Sequence, residues 1–267
     1  MTLYIQNYSS YRDDIETIDV KNELKQKYKI DTRRQDKFIH LAVYGGQLLK
    51  EKVEINKDNE LYVTSGVGNI DIIQKTNTYM YKENQTLKIF DFINLLGNTT
   101  SYYIASTLGI KGKSIFQISD NFTYINTLVS LYSSIRSSKK DAILCSIDLL
   151  STPAEIMKRV LGVKEDCNLV SSVNYQKFSL EKSNAIAKVD FDIISYSYNE
   201  IKEILLKNDK KVLISSRCKE LEFEKDLAYF ETMGSYVVNN AIKNKDDLVY
   251  IDCFNNRYRM LKIESLK

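Results

Sequence analysis

Histidine is almost missing from this chain. His40 is the only one among 267 residues, so no site in it is built on a histidine pair. Cysteine is sparse as well. Cys145, Cys167, Cys218 and Cys253 stand far apart and form no C-x-x-C pair. That spacing argues against a zinc site and against a disulfide framework, and it fits a reduced, cytoplasmic protein. No long block of one charge sign occurs and the formal charge is only +3, so the basic stripe of a nucleic-acid binder is absent. No apolar run reaches membrane-spanning length. The opening residues MTLYIQNYSS lack the basic-then-apolar form of a secretory leader. Nothing in the residues calls for a metal or a cofactor.

What is present describes an α/β protein. The hydrophobic share of 43% is ordinary for a globular chain, and the length suits one large α/β domain or two small ones. The most informative stretch runs from Leu95 to Asp148. Its spacing predicts a helix over Asn98 to Leu108 closed by Gly109, then a short apolar strand over Lys113 to Ile118. Ser119, Asp120 and Asn121 offer N-cap side chains to a second helix, which aligns Phe122, Ile125, Leu128, Val129, Tyr132 and Ile135. A nearly all-apolar strand follows over Ala142 to Ile147. Helix, buried strand, helix, buried strand suits a parallel sheet covered on both faces.

The remainder reads in the same terms. Leu3 to Gln6 is a short strand, and Tyr8 to Ile30 a loop with a helical piece at Lys21 to Lys27. An amphipathic helix starts at Arg33, with His40 opposite its apolar face and therefore on the surface. Glu60 to Val67 is a strand ending at Thr64-Ser65-Gly66; TSGVGN lacks the lysine and spacing of a phosphate-binding loop. Asn69 to Leu87 is a polar excursion and Ile89 to Leu96 a short helix. Thr152, Pro153 and Glu155 open a helix that should bury Ile156, Met157, Val160 and Leu161. Lys164 to Asn184 shows no period and reads as a long surface loop. Ala185 to Ser195 is a strand, Tyr198 to Leu206 a helix, Lys211 to Ile214 a strand and Leu227 to Lys243 a long helix. Asp247 to Phe254 and Tyr258 to Ile263 form a hairpin turning at Asn255-Asn256. Cys145 and Cys253 read as core thiols, whereas Cys167 and Cys218 fall where they could be exposed. Ser119 and Thr123 flank the central turn without an evident base.

The central stretch resembles the β-ketoacyl synthases of the thiolase fold. Their pattern N…A…LG(L/I)xGPS…TAC, followed by a helix and a strand ending in G(V/A)(D/E), is matched by Asn98, Ala105, Leu108-Gly109-Ile110, Gly112 and Ser114, and then by AILCSID ending at Asp148. Arg33 to Leu49 resembles the family's first helix, with the paired arginines as a solvated helix end, and Thr64-Ser65-Gly66 resembles its GTG strand end. The resemblance implies one thiolase-like domain over residues 1–267, layered α/β/α/β/α. Its ketosynthase-like half would be 1–195 and its reduced second half 196–267. KVLISSRCKELEFEKD and ETMGSYVVNNAI take the places of the segments that carry the family's two catalytic histidines. Asn121 falls where the family has its nucleophilic cysteine.

An amide cannot accept an acyl chain, and the histidine pair is absent, so the resemblance implies a non-catalytic subunit. Chain-length-factor subunits, in which an amide commonly replaces the cysteine, pair with an active β-ketoacyl-ACP synthase in fatty-acid or polyketide-type synthesis. On that reading the chain is a ketosynthase-like pseudoenzyme. It would form a heterodimer with an active ketosynthase, or a homodimer, with acyl carrier protein as a further partner. Ile115, Phe116, Ile118, Asn121 and Phe122 would lie at or near the interface, because the family pairs the strand equivalent to Lys113–Ile118 across its dimer. A stand-alone binding or scaffold protein of the same fold is the alternative. A divergent acyl-transferring or hydrolysing enzyme is a third reading.

Overall fold

A computed structural model describes residues 1–150, 153–225 and 228–266. Twelve strands occur among them: β1 Thr2–Arg12, β2 Glu60–Ser65, β3 Ser114–Ile118, β4 Ala142–Asp148, β5 Asn168–Leu169, β6 Ser172–Ser179, β7 Ala187–Phe191, β8 Lys211–Ile214, β9 Glu224–Lys225, β10 Ala228–Tyr229, β11 Leu248–Phe254 and β12 Arg257–Ser265. The α-helices are α1 Val20–Gln26, α2 Lys37–Lys50, α3 Ile70–Asn77, α4 Ile89–Leu95, α5 Gly97–Leu108, α6 Thr123–Ser138, α7 Ala154–Leu161, α8 Tyr198–Leu206 and α9 Met233–Asn244.

The strands repeat one pattern twice. The large sheet has the order β3-β2-β4-β6-β1-β7-β12-β11-β8-β9. From either edge inward, two parallel pairings lead to two antiparallel ones. On one side β2 pairs in parallel with β3 and β4, and β6 pairs antiparallel with β4 and β1. On the other, β8 pairs in parallel with β9 and β11, and β12 pairs antiparallel with β11 and β7. The antiparallel β1–β7 pair is the seam. The second set is the shorter one, and its outer strand β9 has two residues.

Side-chain alternation sorts the core into layers. Tyr62, Leu144, Phe178, Tyr250, Leu261 and Ile263 face a central core that holds α6 and α9. Leu61, Val63, Ile143, Cys145 and Tyr175 face the opposite way, against α2 and α5. Val249, Ile251, Tyr258 and Met260 face α8. The layers are therefore α2/α5, half-sheet, α6/α9, half-sheet, α8, the expected α/β/α/β/α stack. Both faces of each half-sheet are covered, which is why its strands read as unbroken apolar runs.

Several local expectations are corrected. The segment read as a loop over Lys164 to Asn184 contains β6, whose eight residues are all buried. Its polar side chains concealed it, and the longest of them find partners inside. Gln176 accepts from the Tyr124 hydroxyl at 2.8 Å and donates to Asn239 Oδ1 at 2.8 Å. Lys177 donates to the Glu54 carbonyl at 3.2 Å. The loop assigned from Tyr8 onward begins late, because β1 runs on to Arg12, paired there with β6. His40 is not on the surface: it is 5% exposed, with Nε2 3.2 Å from the Thr32 carbonyl. The segment before α2 folds back over that face, and burial pulls the His40 pKa down. The helix itself begins at Lys37, capped by the Asp36 carboxylate accepting from Ile39 N, because Arg34 takes a left-handed φ of 68°.

In α7 the buried residues are Met157 and Leu161, while Ile156 and Val160 are exposed. Pro153 is its N-cap rather than its first helical residue; Thr152 lies outside the described residues. Cys167 and Cys218 are buried like the other two thiols. The helix expected from Leu227 starts at Met233, after the short strand β10, which pairs with β5; Leu227 itself lies outside the described residues. Asn255 and Asn256 do form the tight turn, with φ of 48° and 57°.

Candidate functional site

The strands β2, β3 and β4 are parallel and end on the same side, and the loops that follow them meet the loop after β8 and the start of α9. Asp148, at the end of β4, ties them together. Its Oδ1 accepts from Ser65 Oγ at 3.0 Å and from Gly66 N at 2.8 Å, and its Oδ2 accepts from Thr232 N at 2.8 Å. Gly66 has no room for a side chain. A Cβ there would stand 2.1 Å from Glu231 Cβ, so the strand end and Glu231 pack backbone against side chain.

Arg217 fills the space that remains. It leaves the loop after β8 and donates from Nε to the Leu161 carbonyl and from Nη1 to the Asp120 carbonyl, each at 3.0 Å. Its Nη2 pairs with Glu231 Oε1. The guanidinium also lies 5.4 Å from the ring centres of Tyr229 and Phe254. Both charged side chains are buried, with 8% and 3% exposed for Arg217 and Glu231. Burial pushes Glu231, Asp148 and Asp252 above the ordinary carboxylate range, even with Arg217 opposing the shift of Glu231. For Arg217 burial pulls down, but Tyr229, Glu231 and Asp252 outweigh it and raise the net value.

The turn between β3 and α6 supplies the third wall. Ser119 Oγ donates to the Asn121 carbonyl at 2.8 Å, and Asn126 Nδ2 donates to the same oxygen at 2.9 Å. The Asn121 amide is turned to its neighbour, donating to Asp120 Oδ1 at 3.0 Å. No Ser119, Asp120 or Asn121 side chain caps α6, contrary to the expectation. The residue at the helix start is Phe122, in the left-handed region at φ 46° and ψ 35°, which is costly for an aromatic residue. Its ring packs against Phe254 at 6.5 Å and under Arg259 at 5.7 Å.

The three segments that the resemblance places at a condensing centre thus do converge, and they hold Asn121-Phe122, Arg217 and Glu231 there. Sequence reasoning missed the Arg217–Glu231 pair and the Asp148 clamp. No signal singled the pair out: KVLISSRCKELEFEKD holds charges of both signs, and nothing in it marks Arg217 as the partner of Glu231. The void beside the pair, bounded by Val67, Met157, Leu161 and Phe230, measures about 20 Å³, room for about one water. Glu231 and Asp148 are buried, and Asp120, the exposed carboxylate of the turn, accepts from the Asn121 amide. Burial pushes Cys145 up to about 12. Cys253 is lowered by a hydrogen bond from Cys218, but it sits in the core beneath α8. Ile115 and Phe116 are half-buried and turn inward to opposite layers, Phe116 onto Phe38 at 6.5 Å. Ile118 is exposed at the edge of the sheet.

No protein-family model matches the chain, and no curated protein does. Solved structures do match over the whole length. The ishigamide ketosynthase/chain length factor superposes with a TM-score of 0.74 at 8% identity, covering 100% of both chains. A β-ketoacyl synthase from Burkholderia phymatum gives 0.64 at 10% identity, covering 99% of each. The ketosynthase ApeO in complex with its chain length factor ApeC from Xenorhabdus doucetiae gives 0.61 at 9% identity, covering 98% of this chain and 99% of that one. The architecture is therefore the thiolase-like fold. Within that class it is the form shared by ketosynthases and chain length factors.

Proposed function

We propose that the chain is a non-catalytic, ketosynthase-like subunit. It pairs with an active β-ketoacyl-ACP synthase, in the manner of a chain length factor, in fatty-acid or polyketide-type synthesis. The observation that carries this reading is the Arg217–Glu231 pair. It fills the place of a histidine dyad with two groups that satisfy each other and the Asp120 carbonyl. An acyl chain has neither a nucleophile nor a volume there. The fold is best read as one thiolase-like unit over 1–267, with a ketosynthase-like half at 1–195 and 196–267 as its reduced part. No metal or cofactor has a role in this reading, and acyl carrier protein reaches the complex through the partner.

The free edge strand β3 supports the pairing. Ser119 N–H is bonded to Ser65 O, and Lys113 C=O accepts from Leu61 N. By alternation the N–H groups of Phe116 and Ile118 face the open edge. Among the described residues, nine of the sixteen exposed large hydrophobic residues lie between Ile73 and Ile118, on or beside α3, α4, α5 and β3; that bias supports an interface on this flank. Asn121 and Phe122 follow directly on β3 and would adjoin the joint. Four unpaired thiols fit a cytoplasmic setting. Affinity purification from the native cell tests the proposal. A ketosynthase is expected in stoichiometric amount; recovery of the chain as a homodimer alone would instead establish the stand-alone scaffold.

A further inference from the structure

Of the four thiols, Cys218 and Cys253 share one place. Both lie in the core beneath α8, whereas Cys145 and Cys167 belong to the other two cores. The loop after β8 brings the pair together. Ser215 N donates to the Ile251 carbonyl at 2.8 Å, and Cys218 N donates back to the Ser215 carbonyl at 2.9 Å. That turn sets the Cys218 thiol 3.7 Å from the same Ile251 carbonyl. Cys253 stands two residues further along β11 and faces the same side as Ile251. The two thiols are hydrogen-bonded to each other, Cys218 donating. Their chain neighbours repeat the contact, with the Arg217 guanidinium 5.4 Å from the centre of the Phe254 ring. Lys225 Nζ holds the Cys218 carbonyl at 2.6 Å. Tyr258, paired with Cys253 across the hairpin, donates to Glu220 at 3.0 Å. Loop and strand are thus fastened on either side of the thiol pair.

Two thiols in contact on fastened segments need little movement to bond. We propose that Cys218 and Cys253 are a redox site that closes to an intramolecular disulfide when the chain meets hydrogen peroxide; the structure shows its reduced form. Cys253 begins the reaction. It keeps 7% of its surface exposed, against none for Cys218, and it precedes the exposed Asn255-Asn256 turn by two residues. The hydrogen bond from Cys218 lowers the Cys253 pKa against the upward push of burial and of Asp252, while Cys218 is raised, so the thiolate forms at Cys253. Its sulfur attacks one peroxide oxygen, the O–O bond breaks, and the leaving hydroxide takes the proton that the thiol gave up, forming water. The Cys218 sulfur then attacks the sulfenic sulfur, loses its proton and displaces hydroxide as a second water. The two sulfurs lose two electrons and the peroxide gains them. The new bond ties the Arg217 loop to β11, so oxidation tightens the buried Arg217–Glu231 centre. Cytosolic disulfides of this transient kind serve in redox sensing. Neither thiol belongs to the β3 edge, so the site is independent of the pairing role.

The test is stepwise oxidation of the full chain with hydrogen peroxide, alkylation of the remaining thiols after denaturation, and mass spectrometry of the peptides. The peptides of Cys218 and Cys253 should appear joined before Cys145 or Cys167 is oxidised, and dithiothreitol should part them. The thermal midpoint of the oxidised chain should lie at least about 4 °C above that of the reduced chain, a rise that Cys218→Ala should abolish. In that variant Cys253 should instead go on to sulfinic acid. Should Cys218→Ala fail to fold, the wild-type peptide map alone decides. Oxidation of Cys145 or Cys167 before any joined peptide appears, sulfinic acid at Cys253 of the wild type with no joined peptide, Cys218 joined to another thiol, or a midpoint that the cross-link leaves unmoved would each overturn the proposal.

Discussion

Two regions at the same end of the sheet have been built in opposite ways. Where the loops after β2, β4 and β8 meet, the charged side chains are answered from within: Asp148 by Ser65, Gly66 and Thr232, and Arg217 by Leu161, Asp120 and Glu231. At β3, a few residues away, a strand ends the sheet with its backbone unanswered and Ile118 in solvent. An exposed edge strand is normally covered or blunted. On the proposed reading, structure has replaced chemistry inside and the capacity to interact is kept outside.

The sharpest way to break this contrast is to unseat the buried cation. Arg217→Met leaves Glu231 without its partner, and breaking a buried pair from one side costs about 3–5 kcal/mol. The midpoint in urea should fall accordingly, and Arg217→Met with Glu231→Leu should recover much of the loss. If the single variant melts like wild type, the pair is not what closes the site.

Gly66→Ala comes next, at about 1–3 kcal/mol for overpacking, because its Cβ would meet Glu231 Cβ at 2.1 Å. Combining it with Glu231→Gly should yield a cycle that departs from additivity. Strict additivity would deny the contact.

The pH dependence follows from the raised carboxyls. Asp148, Asp252 and Glu231 hold protons in the folded state at a pH where the unfolded chain has released them. The folded state then binds more protons, so stability falls as pH rises from the ordinary carboxylate range through the raised folded values. Glu231→Gln should flatten that fall in a series of thermal melts, and an unchanged slope would remove Glu231 from the account. The smallest effect concerns Asn121. Asn121→Cys should shift stability by under about 0.5 kcal/mol and restore no condensation in a malonyl decarboxylation assay, because Arg217 and Glu231 stay where the assisting bases would be.

Much of this was legible in the chain. The strands β2, β4 and β11 are buried on both faces, so they appear as apolar runs of a covered sheet; the five-layer order came from the family resemblance. The Asn255-Asn256 turn is legible because few other residues tolerate its φ values. The strand β6 was hidden because Gln176 and Lys177 are polar residues with distant partners such as Tyr124, Asn239 and Glu54, which periodicity does not register. His40 failed for a related reason: a segment outside α2 covers its face. At the site, the positions of the three segments could be read but not the join between Arg217 and Glu231, which lie fourteen residues apart and meet only through the fold.

Pairing through the β3 edge is the central claim, and Ile118→Pro tests it most directly. Proline removes one outward N–H and is tolerated at an edge strand, so the chain should keep its fold by circular dichroism. In sedimentation velocity of the chain with the ketosynthase recovered from its own cell, wild type should run as a heterodimer that condenses acyl units. The variant should run as separate monomers with condensing activity lost. A wild-type chain that stays monomeric, or a proline variant that pairs and supports condensation as well as wild type, would contradict the account.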